Sequence, residues 1–168
     1  MSRLNRYTQE ARQALLSARE EAVQLRHRLV APEHILLGIL KLKDPLIESL
    51  FASLNISTAR LRQAVEFVVG RGNKAIISEP AFSSGARATL SYAEQESCMA
   101  EAEIVGAEHL LLGLLSANEG VAVGVLESFG AYLGPVRQQL AALLSNGREH
   151  LILSLIHISE PTRQAEIS

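Results

Sequence analysis

The sequence predicts an all-α domain of two tandem four-helix repeats related by a pseudo-twofold axis, and three observations carry that prediction. Leu and Ala, both strong helix formers, dominate a chain with 4% aromatic residues and no Trp. Apolar residues recur at spacings of three and four, the period of a helix face. Sliding the chain against itself by 75 positions aligns residues 7–65 with 82–140 without a gap.

The centre of that alignment sets VAPEHILLGIL (Val30 to Leu40) against VGAEHLLLGLL (Val105 to Leu115). Ala11-Arg12 matches Ala86-Arg87, Glu21 matches Glu96, and Arg62-Gln63 matches Arg137-Gln138. About 15 of the 59 aligned positions are identical, and pairs such as Tyr7/Phe82 and Thr8/Ser83 keep their class. Two Leu-rich helices can match by accident over ten residues, but not at one offset over nearly sixty.

Within the first repeat, Thr8 is placed to cap a helix whose first turn carries Glu10, where acidic charge suits the dipole. Ala11, Leu15, Ala18, Ala22 and Leu25 then form one apolar stripe, to about His27. Pro32 sits at the start of a second helix, where its missing N–H is tolerated. That helix is nearly all apolar from Ile35 to Leu40 and so belongs at the buried centre. Asp44-Pro45 opens a short third helix ending near Asn55. Ser57 caps a fourth, with Leu61, Val65 and Val68 on its inner face and Gly70 as its stop. The second repeat follows the same plan from Ser83 or Ser84 to about Ser145, after a connector spanning 71–81. A single domain over 1–147 results.

The tail, 148–168, has no counterpart in either repeat and mixes β-branched residues with Pro161. It reads as vector or adaptor sequence, the alternative being a strand-like native extension.

The net charge of −2 argues against nucleic acid as a partner, as does the scatter of basic residues around several helices. Residues 1–72 nevertheless carry 11 Lys/Arg against 7 Asp/Glu, while 73–150 carry 4 against 9. Solvated surfaces account for such a split, and a charged docking face is the other reading. No apolar run approaches the roughly 20 residues that span a bilayer. With one cysteine, Cys98, and no signal peptide ahead of Arg3 and Arg6, a cytosolic setting is expected.

Catalytic motifs are missing. There is no GxxxxGK[ST] loop, no HExxH and no Cys cluster, so neither a cofactor nor a metal is expected. His27 and His34 are separated by Ala31-Pro32, which keeps them off one helix face. His34 and His109 read as core-edge residues satisfied by backbone carbonyls. Glu33 and Glu108 fall in the first turn of each central helix, where a carboxylate complements the dipole. They could also serve as an acid–base pair, or capture a cation, above all a planar guanidinium.

The doubled EHLLLGLL-type helix, with RYTQEARQAL opening one copy and FSSGARATL the other, resembles the N-terminal domain of Clp-type AAA+ unfoldases, nearest to ClpC. The likeness covers about residues 3–145. It implies a non-catalytic domain that receives adaptor proteins and unfolded or tagged substrates for the ATPase modules of a parent chain. A stand-alone two-repeat accessory protein is the alternative. In ClpC-like members the resemblance further implies two phosphoarginine sites, where a Glu takes the guanidinium and hydroxyl and backbone groups take the phosphate. Carried over by position, Glu33 with Thr8 and Arg6 would form one site, and Glu108 with Ser83 the other. Ala31-Pro32 and Gly106-Ala107 depart from the family's common Gly-Thr pair. Ser83-Ser84 likewise replaces Thr-Pro, with Pro80 and Ala81 where an Arg is usual.

Overall fold

A computed structural model describes residues 5–159, with side chains described for 5–146. The first repeat contains α1 (Gln9–Gln24), β1 (Leu29–Val30), α2 (Pro32–Leu42), α3 (Pro45–Ser53) and α4 (Thr58–Val69). The second contains β2 (Ala81–Phe82), α5 (Ser84–Met99), α6 (Ala107–Ala117), α7 (Val121–Ser128) and α8 (Leu133–Ser159). The expected caps are in place. Thr8, Ser83 and Ser57 each accept a hydrogen bond from the backbone N–H three residues on, and Asp44 accepts from Leu46 and Ile47. Pro32 and Pro45 stand at their helix starts.

The duplication extends to the unusual backbone. Arg26 and Glu101, Lys43 and Asn118, and Asn55 and Gly130 all have positive φ, and each pair is 75 residues apart. A left-handed residue closes the same helices in both repeats, although only one of the six is glycine.

Helix pairing is governed by two other glycines. In the first repeat α2 lies against α1, and a Cβ on Gly38 would collide with the Ala14 carbonyl and stand 2.9 Å from the Ala18 nitrogen. In the second, a Cβ on Gly113 would stand 2.6 Å from the Thr89 carbonyl and 2.8 Å from the Ala93 nitrogen of α5. Backbone meets backbone at both crossings, an approach only glycine permits. The apolar faces of α2 and α6 are then buried as expected, with Ile35, Leu36, Leu37, Leu110, Leu111 and Leu114 essentially inaccessible.

The repeats are interlocked rather than set side by side. The third helix of each packs on the fourth helix of the other, α3 on α8 and α7 on α4, while α2 and α6 meet between them. One continuous core results. An ion pair with a buried carboxylate and a partly exposed arginine braces each half at the same place. Glu21 is 2% exposed and bonds Arg62; Glu96 is 4% exposed and receives Arg137 at 2.7 and 2.9 Å. Each joins the first helix of a repeat to its fourth. Removing either arginine strands a buried carboxylate, whereas an arginine left without its glutamate stays partly solvated.

The expected all-α, two-repeat plan holds with one addition, β1 and β2, which pair in parallel with Leu29 opposite Ala81 and Val30 opposite Phe82. Two expectations need correction. Val68 is 55% exposed, because the inner stripe of α4 runs Leu61, Val65, Val69 at successive steps of four. Finally, α8 passes the expected end of the repeat at Ser145 and runs to Ser159. Main-chain helix therefore enters the tail, and the strand-like alternative for it does not hold over 148–159. The side chains of 147–159 and all of 160–168, on which the adaptor reading of the tail rests, lie outside the described residues.

The glycine crossings generate a prediction. Ala normally stabilises a helix by about 1 kcal/mol over Gly, but Gly38→Ala and Gly113→Ala force α1 from α2 and α5 from α6. Each should destabilise the domain by about 1–3 kcal/mol, the usual range for overpacking, or more. Urea denaturation reads the sign directly, and a gain in stability from either change would refute the close-packing account.

Candidate functional site

Strand pairing brings the ends of the two repeats together in a crossed arrangement. Ser83 donates its backbone N–H to the Val30 carbonyl at 2.9 Å, and Thr8 donates to the Val105 carbonyl at 2.8 Å. Val105 in turn donates to the Arg6 carbonyl at 2.7 Å. Tyr7 and Val105 form an isolated parallel bridge, the counterpart of Phe82 against Val30. The N-cap of each first helix is therefore fastened just ahead of the central helix of the opposite repeat.

The geometry re-pairs the residues that the resemblance had grouped. Glu33 shares its surroundings with Ser83, not Thr8, since the Pro32 ring packs against the first turn of α5 at Gly85. Glu108 shares its surroundings with Thr8 and Arg6, not Ser83. Positional matching grouped residues within one repeat, whereas the parallel bridges exchange them between repeats. Two helix N-termini converge at each site, α2 with α5 and α6 with α1. Their unpaired N–H groups and aligned dipoles favour an anion.

The side chains at each site are of complementary kinds. Thr8 and Ser83 use an oxygen lone pair for their caps, which leaves each hydroxyl its proton to donate. Glu33, Glu108, Thr8 and Ser83 are half-buried, and Arg6 is exposed. A carboxylate beside an anion-attracting pair of helix ends can hold a ligand carrying both a cationic and an anionic group. Position 81, which corresponds to Arg6, is Ala, so only the Glu108 site has an arginine there.

Behind each Glu stands a histidine with a role the sequence reading assigned to the wrong partner. His34 Nδ1 accepts the Ala31 N–H at 2.8 Å, and His109 Nδ1 accepts the Gly106 N–H at 2.9 Å. Each histidine thus caps the central helix from its third position, binding an N–H rather than a carbonyl. With Nδ1 accepting, a neutral His34 carries its proton on Nε2, which lies 2.7 Å from His27 Nδ1. This contact was missed because the turn at Arg26 folds His27 back toward α2, bringing together residues that no single helix could. Among the described residues no three His, Cys, Asp or Glu gather as metal ligands.

Burial, with His27 beside it as the second cause, lowers the His34 pKa from 6.5 to about 4. Burial also lowers that of His109, opposed by the charges of Glu108 and Glu96.

A surface depression of about 440 Å³ lies beside α1, lined by Leu16, Arg19, Glu20, Val23, Gln24 and Glu79. Arg19 crosses it to bond Glu79 at 2.8 Å and stands over the Phe82 ring. The repeat-two counterparts of Leu16 and Val23 are Ser91 and Cys98, so this apolar lining is not duplicated.

The histidines predict a pH dependence of stability. A folded-state pKa below the unfolded value means that the unfolded chain binds more protons. Stability is therefore full above about pH 6.5 and falls as pH drops toward 4, by up to about 1.4 kcal/mol per pH unit for each proton. Denaturant midpoints measured from pH 7.5 to 5, above most carboxylate titration, should decline, and less steeply in His34→Gln. A flat wild-type profile would contradict the neutral, capping histidine.

Comparison with known proteins places this architecture. The profile of the Clp repeat N-terminal domain matches residues 6–97 and again 81–151. The chain is 35% identical over 148 residues to the chloroplastic chaperone protein ClpC2 of Oryza sativa subsp. japonica, covering 88% of this chain but 16% of that protein. Its fold is similar to the N-terminal domain of the chaperone ClpD from Arabidopsis thaliana, at 23% identity and TM-score 0.67, covering 84% of this chain and 96% of that one. It is also similar to a ClpV N-domain solved in complex with a VipB peptide, at 19% identity and TM-score 0.69, covering 86% and 90%. Two interlocked copies of one repeat, matched by one family profile in each half, establish that this chain belongs to the Clp repeat N-terminal domain family.

Proposed function

We propose that the domain is a binding module of a Clp-type unfoldase, receiving adaptors and substrates, and that its two crossed sites take arginine-phosphorylated protein segments. The observation that carries this reading is the convergence of a first-turn Glu with two helix N-termini and a capping hydroxyl, formed twice by reciprocal strand pairing. Phosphoarginine sets a cationic guanidinium directly against a phosphate dianion. Glu33 or Glu108 would take the guanidinium through charge-assisted hydrogen bonds. The helix ends, with Ser83 at one site and Thr8 and Arg6 at the other, would take the phosphate.

Peptide capture as such is supported by the ClpV N-domain complex, whose ligand is a VipB peptide. In the parent machine the ATPase modules would supply the work and this domain the selection. The single thiol, Cys98, fits a reducing cytoplasmic setting.

Charge-assisted hydrogen bonds contribute about 1.5–3 kcal/mol net, so Glu33→Ala and Glu108→Ala should each weaken their own site roughly 10- to 150-fold. The other site should remain unchanged, and the fold should persist, since a first-turn carboxylate contributes only about 0.3–1 kcal/mol to it. Calorimetric titration with free phosphoarginine across wild type, both single variants and the double variant tests this. Absence of wild-type binding at millimolar ligand would leave only general adaptor docking. Unaltered binding by the variants would make the Glu pair structural.

A further inference from the structure

We propose that the residue capping each central helix, Ala31 in one repeat and Gly106 in the other, decides whether the neighbouring glutamate stands open to a ligand or lies folded against its own helix end. The two caps have the same backbone, with φ −98° and ψ 170° at Ala31 and φ −98° and ψ 176° at Gly106. A Cβ placed on Gly106 would collide with Glu108 Oε1 and lie 2.9 Å from its Cδ. Glu108 thus fills the volume that the Ala31 methyl group fills in the first repeat. Glu33 occupies the equivalent helix position but is excluded from that volume. Its carboxylate is kept off the cap.

The electrostatics agree. Glu108 is among the charges that pull the His109 pKa upward, whereas the His34 pKa is lowered by burial and by His27. A carboxylate folded over the start of α6 compensates the dipole that would otherwise attract an anionic group. A ligand at the Glu108 site must displace it, and its apparent affinity falls with the fraction of molecules in which the site is open. At the Glu33 site the methyl group has already excluded the folded state. The two sites are therefore inequivalent before any ligand arrives, for a reason separate from the presence of Arg6 at only one.

This rests on the guanidinium-binding reading for its effect on ligands, and on geometry alone for the position of the carboxylate. The swap is conservative, because Ala31 already adopts the backbone that Gly106→Ala requires and the atoms displaced belong to a flexible side chain. Phosphoarginine titrations followed by NMR at the Ser83 and Thr8 amides report the sites separately. Gly106→Ala should tighten the Glu108 site, and Ala31→Gly should weaken the Glu33 site, each by about 2- to 5-fold, the scale of one helix-end charge interaction. Without ligand, an NMR titration of His109 should show its pKa lower in Gly106→Ala than in wild type, because Glu108 has moved away. An unchanged His109 overturns the folded-back glutamate. A shifted His109 with unchanged affinities overturns its control of binding. Failure of every variant to bind, with His109 shifted, overturns the phosphoarginine reading and with it the control of binding, while the folded-back glutamate stands.

Discussion

The crossed main-chain bonds between the repeats are the constraint on which the rest of the structure depends. Val30 and Val105 each lie immediately before the cap of a central helix, and each pairs with the opening residues of the other repeat. Those few bonds fix where α1 and α5 begin relative to α2 and α6. They also bury strand groups that would otherwise need water, since an unpaired buried N–H or carbonyl is costly. Neither repeat can complete this pairing alone. Together with the packing of α3 on α8 and α7 on α4, the exchange makes two copies of one sequence pattern into a single cooperative body.

Inside that frame, duplication has been kept where packing leaves no freedom. Gly38 and Gly113 persist because backbone occupies the space of their missing side chains. Glu21–Arg62 and Glu96–Arg137 persist because a buried carboxylate without its arginine is worse than no carboxylate at all. The positive-φ positions persist as conformations even where the residue has changed, since helix closure requires the left-handed turn but tolerates Arg, Lys, Asn or Glu there. Divergence is concentrated on the surface and around the two crossed sites. Arg6 faces Ala81 in the alignment, Ala31 faces Gly106, and Leu16 faces Ser91. A pseudo-symmetric scaffold thereby carries two sites of related chemistry and unequal detail.

The histidines link stability to those sites. Each closes a capping interaction of the helix that carries the Glu, and each does so only as the neutral ring, because Nδ1 must accept. His34 also engages His27, so a proton taken up there breaks either the cap or the contact between rings. The capping bond and the carboxylate lie within one turn of the same helix. Whatever disturbs the start of α2 or α6 is therefore felt at the corresponding site.

Most of the fold was legible in the chain itself. The offset of 75 announced the duplication, the spacing of Ala11, Leu15, Ala18 and Ala22 announced a buried stripe, and Thr8, Asp44, Ser57, Pro32 and Pro45 marked helix starts through chemistry that acts over three or four residues. Glu33 and Glu108 were recognisable as first-turn carboxylates for the same reason. The partners of those carboxylates were not legible. Residues 33 and 83, or 8 and 108, are joined by no local pattern, and a repeat aligned with itself suggests pairing within each copy. Only the tertiary structure decided that the copies exchange their ends, that His27 reaches His34, and that Gly106 makes room for a carboxylate where Ala31 does not. Capping and helical periodicity are short-range and are written in adjacent residues. Strand exchange and steric exclusion depend on which distant backbone atoms come to share one place.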